Sequence, residues 1–193
     1  MKDNKNEILD IFNETEALLD GHFLLTSGRH SNQYFQCAKV LQYPQHIEHI
    51  CKILSKYFEK FEIDTVIAPA IGGICVGQEV ARQLGKRFIF AEREEGKLTL
   101  RRGFSLKENE KVLVCEDVVT TGGSVFETIE IVKENKAIAV GVGFIVDRSN
   151  GKVKFGIPQA CTVQLEAVSY APDECPLCKK GTPAVKPGSR KIK

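Results

Sequence analysis

The sequence predicts an α/β fold with a mainly parallel central sheet, and two observations support this prediction. Short apolar segments that favour strands alternate with amphipathic segments that favour helices. Polar or glycine-rich stretches also follow the predicted strands directly, at residues 69–73, 92–103, 116–124 and 147–151. Because ligands of parallel sheets bind beyond the carboxyl ends of the strands, these four stretches are the candidate site.

Each element follows from the apolar periodicity of its segment. A first helix is expected over residues 7–19 with Gly21 ending it, and a strand-and-turn hood over residues 23–40. Pro44 is a favourable first residue for the next helix. The remaining strands are predicted at residues 65–68, 87–91, 111–115 and within 137–146, with helices at residues 72–84 and 124–134.

Composition and charge are those of one ordinary globular domain. Of the 193 residues, 42% are hydrophobic and 27% are charged, which suffices for a core without disulfides. Lysine and arginine number 27 against 25 acidic residues, so charge gives no reason to expect a nucleic acid or a membrane as partner. No apolar run could span a bilayer, and the polar start lacks a signal-peptide core. We expect a cytoplasmic protein with one domain over residues 1–171 and a tail over 172–193.

The strongest motif runs from Val112 to Ser124. An apolar strand leads into Glu116 and Asp117, and two threonines, two glycines and a serine follow. The glycines and the start of a helix suit a phosphate, and the hydroxyls add donors. The carboxylates need ribose hydroxyls, or magnesium carried by a pyrophosphate. This pattern describes a ribose 5-phosphate site; the alternative is an ordinary strand end and turn.

The segment closely resembles the signature by which type I phosphoribosyltransferases bind phosphoribosyl pyrophosphate (PRPP). The resemblance implies their fold, a mainly parallel sheet flanked by helices with a small N-terminal hood, which here takes in residues 21–43 and the chain ends. It assigns the ribose to Glu116 and Asp117 and the phosphate to residues 120–124. The PRPP contacts that it implies are Arg93, Lys97, Glu116, Asp117, Val118, Val119, Thr120, Thr121, Gly122, Gly123 and Ser124.

Two further segments resemble the orotate phosphoribosyltransferases of that family. Residues 25–35 are similar to the hood, whose aromatic pair could stack on a pyrimidine or make a plain hydrophobic contact. Residues 146–151 are similar to the segment whose arginine lies against orotate, since a guanidinium pairs well with its carboxylate. The orotate contacts that the resemblance implies are Thr26, Tyr34, Phe35, Thr120 and Arg148.

Residues 92–103 resemble a mobile loop that closes over the neighbouring subunit's active site. By this resemblance Arg93 and Lys97 bind pyrophosphate and, with Asp117, are the catalytic residues. The alternative is a solvated hairpin tip. The chain departs from the better-known pattern, with Glu94 and Thr99 in place of a lysine and a histidine. We hypothesise that the arginines at positions 101 and 102 replace the missing charge.

The resemblance implies transfer of the phosphoribosyl group of PRPP to orotate in pyrimidine (UMP) biosynthesis. It also implies Mg²⁺ held mainly by PRPP with no direct protein ligand, and a homodimer with shared active sites. Three alternatives remain open: a transferase for another base such as a purine, a non-catalytic PRPP-sensing regulator, and an RNA-binding attenuation protein with a basic face.

The seven cysteines divide into two groups. Five lie in apolar or helical patterns and are expected to be buried and reduced. Cys175 and Cys178 have zinc-knuckle spacing, but zinc generally takes four ligands and no second close pair of cysteine or histidine is visible. Two tails of a dimer could complete such a site and a redox pair is possible, but a turn with two free thiols is favoured.

Overall fold

A computed structural model describes residues 5–25, 27–165 and 168–186. In chain order its elements are α1 (Lys5–Glu14), β1 (Leu18–Leu24), β2 (His30–Phe35), α2 (Ala38–Leu41), α3 (Pro44–Phe58), β3 (Thr65–Pro69), α4 (Gly72–Leu84), β4 (Arg87–Glu94), β5 (Lys97–Leu100), β6 (Lys111–Val119), α5 (Gly123–Glu134), β7 (Ile138–Asp147), β8 (Gln159–Gln164) and α6 (Pro176–Lys179).

Six strands form a central sheet of order β5-β4-β3-β6-β7-β8. The β4–β5 hairpin is antiparallel, and the other neighbours in the sheet are parallel. The predicted α/β class with a mainly parallel sheet is therefore confirmed. Strands β1 and β2 form a separate antiparallel hairpin, the hood.

Apolar side chains cover both faces of the sheet because successive strand residues point to opposite sides. On one face Val66 of β3 packs in a cluster with Leu54 and Phe58 of α3. On the other face Ile67 packs in a cluster with Val125 of α5. All five residues of β3 are buried, which is typical of a central parallel strand and explains why it reads as an apolar run.

The first helix is shorter than the sequence predicts. It ends at Glu14, and Leu18 and Leu19 belong to β1, where they pair with Phe35 and Tyr34. The chain turns at Glu16, whose φ is 53°, and Gly21 lies inside the strand instead of ending a helix. Pairing with β2 thus overrides a helical spacing of leucines.

The C-terminal segment, residues 168–186, lies against the hood. The backbones of His30 and Tyr170 exchange two hydrogen bonds of 2.9 and 2.8 Å, and Val185 exchanges two more with β1. Arg29 also donates to the side chain and the carbonyl of Ser169. The segment thus bonds to both strands of the hood through isolated bridges. Among the described residues, no helix combines the length and apolar character needed to cross a membrane.

Candidate active site

The acidic pair stands at the carboxyl end of β6, where the first turn of α4 approaches it. Glu116 is only 8% exposed, and its Oε1 accepts a hydrogen bond of 3.0 Å from the backbone N–H of Asp117. The Asp117 carboxylate in turn accepts a bond of 2.8 Å from the N–H of Val118. A Cβ atom at Gly72 would lie 2.2 Å from Asp117 Oδ2. Glycine is required there because helix and carboxylate come so close.

Burial controls the electrostatics of this pair. Desolvation, and then the neighbouring Asp117, raise the pKa of Glu116 to about 9. The raised pKa favours the protonated form of the Glu116 carboxyl, which can donate a hydrogen bond as well as accept one. The thiol of Cys37 is buried behind the pair, and desolvation followed by Asp117 raises its pKa as well. The sequence identified Cys37 only as a buried cysteine, because its proximity to Asp117 depends on the fold.

The glycine turn after β6 has the backbone that an anion site needs. Gly122 has a φ of 77°, and a Cβ there would lie 2.9 Å from Val153 Cγ1. No described side chain caps the N-terminus of α5, so its first N–H groups remain available to a ligand. Thr120 and Thr121 are exposed beside them. The structure thus places the exposed Thr120 and Thr121 beside helix N–H groups that no described side chain caps.

The side chains of the two valines in the motif pack against the hydrophobic core. Val119 is 1% exposed and packs in the core, and Val118 packs partly buried against the opposite cluster. Their apolar side chains offer no polar group, so a contact of either valine with PRPP would have to use the backbone. The carbonyl of Val119 already accepts a 2.8 Å bond from the N–H of Arg148. This bond links the motif to the loop after β7.

Asp147 builds that loop. The residue is 2% exposed, and its carboxylate accepts bonds from the N–H of Ser149 (2.8 Å), the hydroxyl of Ser149 (2.6 Å) and the N–H of Gly151 (2.9 Å). Such a turn fixes the backbone on both sides of Arg148. Asp147 therefore positions Arg148, a role that the sequence did not assign to it.

Arg148 is a half-buried guanidinium at the ligand edge of the sheet. Burial lowers its pKa, and the nearby Tyr34 has a smaller opposing effect. Within the described residues, no carboxylate lies within 4.0 Å of it. A partly desolvated cation without an internal carboxylate favours an anionic ligand.

The two hood aromatics point to opposite sides of β2. Tyr34 is partly exposed and donates a hydrogen bond of 3.1 Å to Gln36. Phe35 is 8% exposed and packs on Phe12, with ring centroids 4.9 Å apart. This geometry supports the hydrophobic-contact alternative for Phe35 and leaves Tyr34 as the candidate for stacking. Thr26, the remaining hood residue of the predicted site, lies outside the described residues.

The charged stretch of residues 92–103 includes the end of β4, the turn at Glu95 and Gly96, and β5, which together form the β4–β5 hairpin. Arg93 makes a two-pronged ion pair with Glu127 of α5, at 2.8 and 3.0 Å. Arg102 pairs in the same way with Glu92, and Arg101 lies 3.5 Å from Glu94. These arginines thus neutralise acids of their own chain, while Lys97 is exposed.

The cysteines follow the sequence prediction with one exception. Cys37, Cys51 and Cys115 are buried and Cys161 is partly buried, but Cys75 is exposed on α4. The prediction that Cys75 is buried was wrong, because the residue falls on the outer face of an amphipathic helix.

The comparisons with known proteins agree with this geometry. A family model described as a phosphoribosyl transferase domain matches residues 37–155, so the chain belongs to the phosphoribosyltransferase family. The orotate phosphoribosyltransferase of Chlorobium phaeobacteroides is 59% identical over 187 residues, covering 97% of each chain. That of Desulforamulus reducens is 58% identical over 189 residues, covering 98% of this chain and 99% of the relative.

Solved structures show the same fold. The orotate phosphoribosyltransferase from Aeropyrum pernix matches with a TM-score of 0.71 at 24% identity, over 82% of this chain and 93% of its own. The adenine phosphoribosyltransferase from Thermoanaerobacter pseudethanolicus matches with a TM-score of 0.60 at 17% identity, over 69% of this chain and 88% of its own. The fold is therefore common to transferases named for different bases. It cannot identify the base of this protein, which we infer from the site and from the relatives with higher sequence identity.

Proposed function

We propose that this protein is an enzyme that transfers the phosphoribosyl group of PRPP to orotate, giving orotidine 5'-monophosphate and pyrophosphate in pyrimidine biosynthesis. The observation that carries this proposal is Arg148, a half-buried guanidinium beside Tyr34 with no carboxylate partner among the described residues. Orotate combines a flat ring with a carboxylate, and these are the two features that a phenol ring and a guanidinium recognise. The two relatives that are 59% and 58% identical to this chain carry the same activity in their names.

PRPP would bind along the motif that ends β6. The carboxyl groups of Glu116 and Asp117 lie where ribose hydroxyls would meet them, and a protonated Glu116 can donate a bond as well as accept one. The turn from Thr120 to Ser124 would hold the 5-phosphate with backbone N–H groups and hydroxyls. Because the backbone of Val119 bonds to that of Arg148, the sugar and base positions would be held in a fixed relation.

Mg²⁺ fits this site as an ion carried by PRPP. Glu116 and Asp117 offer the oxygen ligands that Mg²⁺ prefers, but the described residues bring no third acidic or histidine ligand to them. A protonated Glu116 is also a poor ligand for a cation. The ion would supply charge neutralisation to the pyrophosphate, while the protein binds the sugar and the base.

Positioning and charge stabilisation would supply the catalysis. Deprotonated orotate is itself the nucleophile, so no enzymic nucleophile is required. Arg93 and Lys97 would stabilise the charge that grows on the departing pyrophosphate. Asp117 would hold the ribose while the C1 atom of the sugar gains positive character. In the described conformation Arg93 is bound to Glu127, so it would have to leave that partner to reach pyrophosphate.

We infer a homodimer in which this hairpin serves the partner's site, and a cytoplasmic location. The β4–β5 hairpin projects from the edge of the sheet, since β5 is the outermost strand, and closure over a neighbouring site would exclude water. The cysteines of the described residues are free thiols, in keeping with a reducing compartment.

A base panel tests the proposed function. The protein is incubated with PRPP and Mg²⁺ and, in separate reactions, with orotate, uracil, adenine and guanine, and the release of pyrophosphate is followed. We expect release with orotate alone. Release with a purine, or PRPP binding without release with any base, would replace this proposal with a purine transferase or a PRPP-binding regulator.

A further inference from the structure

Four side chains that could bind a metal converge on the hood, outside the proposed active site. His22 lies on β1, His30 on β2, and Cys175 and Cys178 lie at the start of α6. One ligand atom from each lies within 4.8 Å of every other. The convergence is long-range, since Cys175 and His22 are 153 residues apart in the chain.

The spacing of these atoms matches a tetrahedral zinc site. Zinc binds sulfur at about 2.3 Å and nitrogen at about 2.0–2.1 Å, which places neighbouring ligand atoms roughly 3.3–3.8 Å apart. His22 Nε2 lies 3.5 Å from Cys175 Sγ and 3.7 Å from Cys178 Sγ, and His30 Nδ1 lies 3.2 Å from Cys178 Sγ. The two ring nitrogens are closer, at 2.8 Å, so a bound ion would move them apart by about half an ångström.

A hydrogen bond on the far side of His22 orients that ring for a metal. Its Nδ1 lies 2.7 Å from the backbone carbonyl of Thr182. A carbonyl oxygen can only accept, so the Nδ1 atom carries a proton, and in the neutral ring the lone pair of Nε2 then faces the cluster. Metal-binding histidines commonly have such an outer partner.

Burial of the cluster favours a structural metal over a catalytic one. Cys175 is 0% exposed and His22 is 4% exposed, while Cys178 reaches the surface and gives an ion a way in. Four protein ligands leave no open position for a substrate. Two thiolates and two imidazoles select zinc over the harder magnesium and calcium ions.

We propose that each chain holds one structural Zn²⁺ ion through His22, His30, Cys175 and Cys178. The ion ties both strands of the hood hairpin to the C-terminal segment. It thereby closes a loop of most of the chain, which restricts the unfolded state and stabilises the folded one. No second tail is needed, because the hood supplies the two ligands that cysteine spacing alone leaves missing.

The test measures metal on the full chain. Protein produced with zinc in the medium is analysed for bound metals, and stripped protein is titrated with Zn²⁺ and, separately, with Co²⁺. We expect about one zinc per chain, and with Co²⁺ the visible absorption of a tetrahedral site together with a thiolate charge-transfer band. Removal of the metal by a chelator should lower Tm, and Zn²⁺ should restore it.

Matched variants assign the ligands. His22→Gln and Cys178→Ser should each lose the stoichiometric zinc and the tetrahedral cobalt spectrum. The controls His46→Gln and Cys75→Ser change a partly buried histidine and an exposed cysteine outside the cluster and should keep both. If the ligand variants do not fold, the titration of stripped unmodified protein decides alone. Failure of that protein to bind Zn²⁺ stoichiometrically would overturn the proposal, as would ligand variants that bind as tightly as the controls.

Discussion

At the scale of single residues, the burial of Glu116 makes the stability of the folded protein depend on pH. Its folded-state pKa of about 9 lies above the ordinary 4.5, so the folded protein holds the proton more tightly than the unfolded chain. The stability that this proton contributes is complete below the ordinary pKa and is lost as pH rises towards about 9. We predict that Glu116→Gln gains stability relative to the parent by up to about 1.4 kcal/mol per pH unit over this window, while its affinity for PRPP falls.

Thermal or urea unfolding at about pH 5 and about pH 8 measures this difference. Glu130→Gln is the matched control, because Glu130 is exposed on the surface of α5 and, among the described residues, forms its ion pair with the exposed Lys133. A Glu116→Gln variant whose relative stability did not change with pH would show that the buried carboxyl is ionised in the folded protein.

Arg148 provides the second prediction at this scale. Arg148→Lys keeps the positive charge but loses the planar pair of donors that matches a carboxylate. We expect KM for orotate to rise on the order of 10- to 100-fold with little change in KM for PRPP. Lys152→Ala, an exposed lysine on the same loop, should leave both constants unchanged. Equal losses for both substrates would instead assign Arg148 to the PRPP site.

At the scale of elements, two adjacent glycines at the start of α5 differ in what they tolerate. Gly122 has a positive φ, and a Cβ there would lie 2.9 Å from Val153 Cγ1, whereas a Cβ at Gly123 would have only Thr121 Oγ1 within 4 Å, at 3.8 Å. We predict that Gly122→Ala lowers the free energy of unfolding by about 1–3 kcal/mol, while Gly123→Ala leaves it nearly unchanged. Denaturant unfolding of both variants checks this, and equal losses would mean that the turn adjusts freely.

The ion pair between Arg93 and Glu127 joins the β4–β5 hairpin to α5. Both side chains are nearly half exposed, at 46% and 41%, so the pair is worth only about 0.2–1 kcal/mol. If Arg93 must leave Glu127 to bind pyrophosphate, Glu127→Gln should tighten PRPP binding by no more than about fivefold and lower Tm by no more than about 4 °C. Calorimetric titration measures the affinity. Weaker binding would show that Glu127 presents Arg93 in its working position.

The central elements could be predicted from sequence, but contacts between distant segments could not. Strand β3 is buried on both faces and therefore reads as an apolar run, whereas β8, with glutamine at each end, resembles a loop. Alternation along β2 sends Tyr34 and Phe35 to opposite faces, a point that their adjacency in sequence conceals. The cluster of His22 with Cys175 joins opposite ends of the chain, and only the fold brings them together.

At the scale of the whole molecule, the proposed homodimer with shared active sites predicts that two defective variants restore each other. Lys97→Ala damages the hairpin, and Arg148→Ala damages the base site. In a mixed dimer, the chain with an intact Arg148 would receive an intact Lys97 from its partner, while the other site would carry both defects. Random mixing makes about half of the dimers hybrid, so about a quarter of the parent activity should return.

The measurement is the activity of each variant alone, and of an equal mixture after dissociation and reassociation of the subunits. Each variant alone should be nearly inactive, and activity should return only on mixing. A mixture of Lys97→Ala with itself, treated in the same way, controls for the procedure. If the hairpin served the site of its own chain, every site in the mixture would keep one defect and no activity would return, because Lys97 and Arg148 would never be intact together.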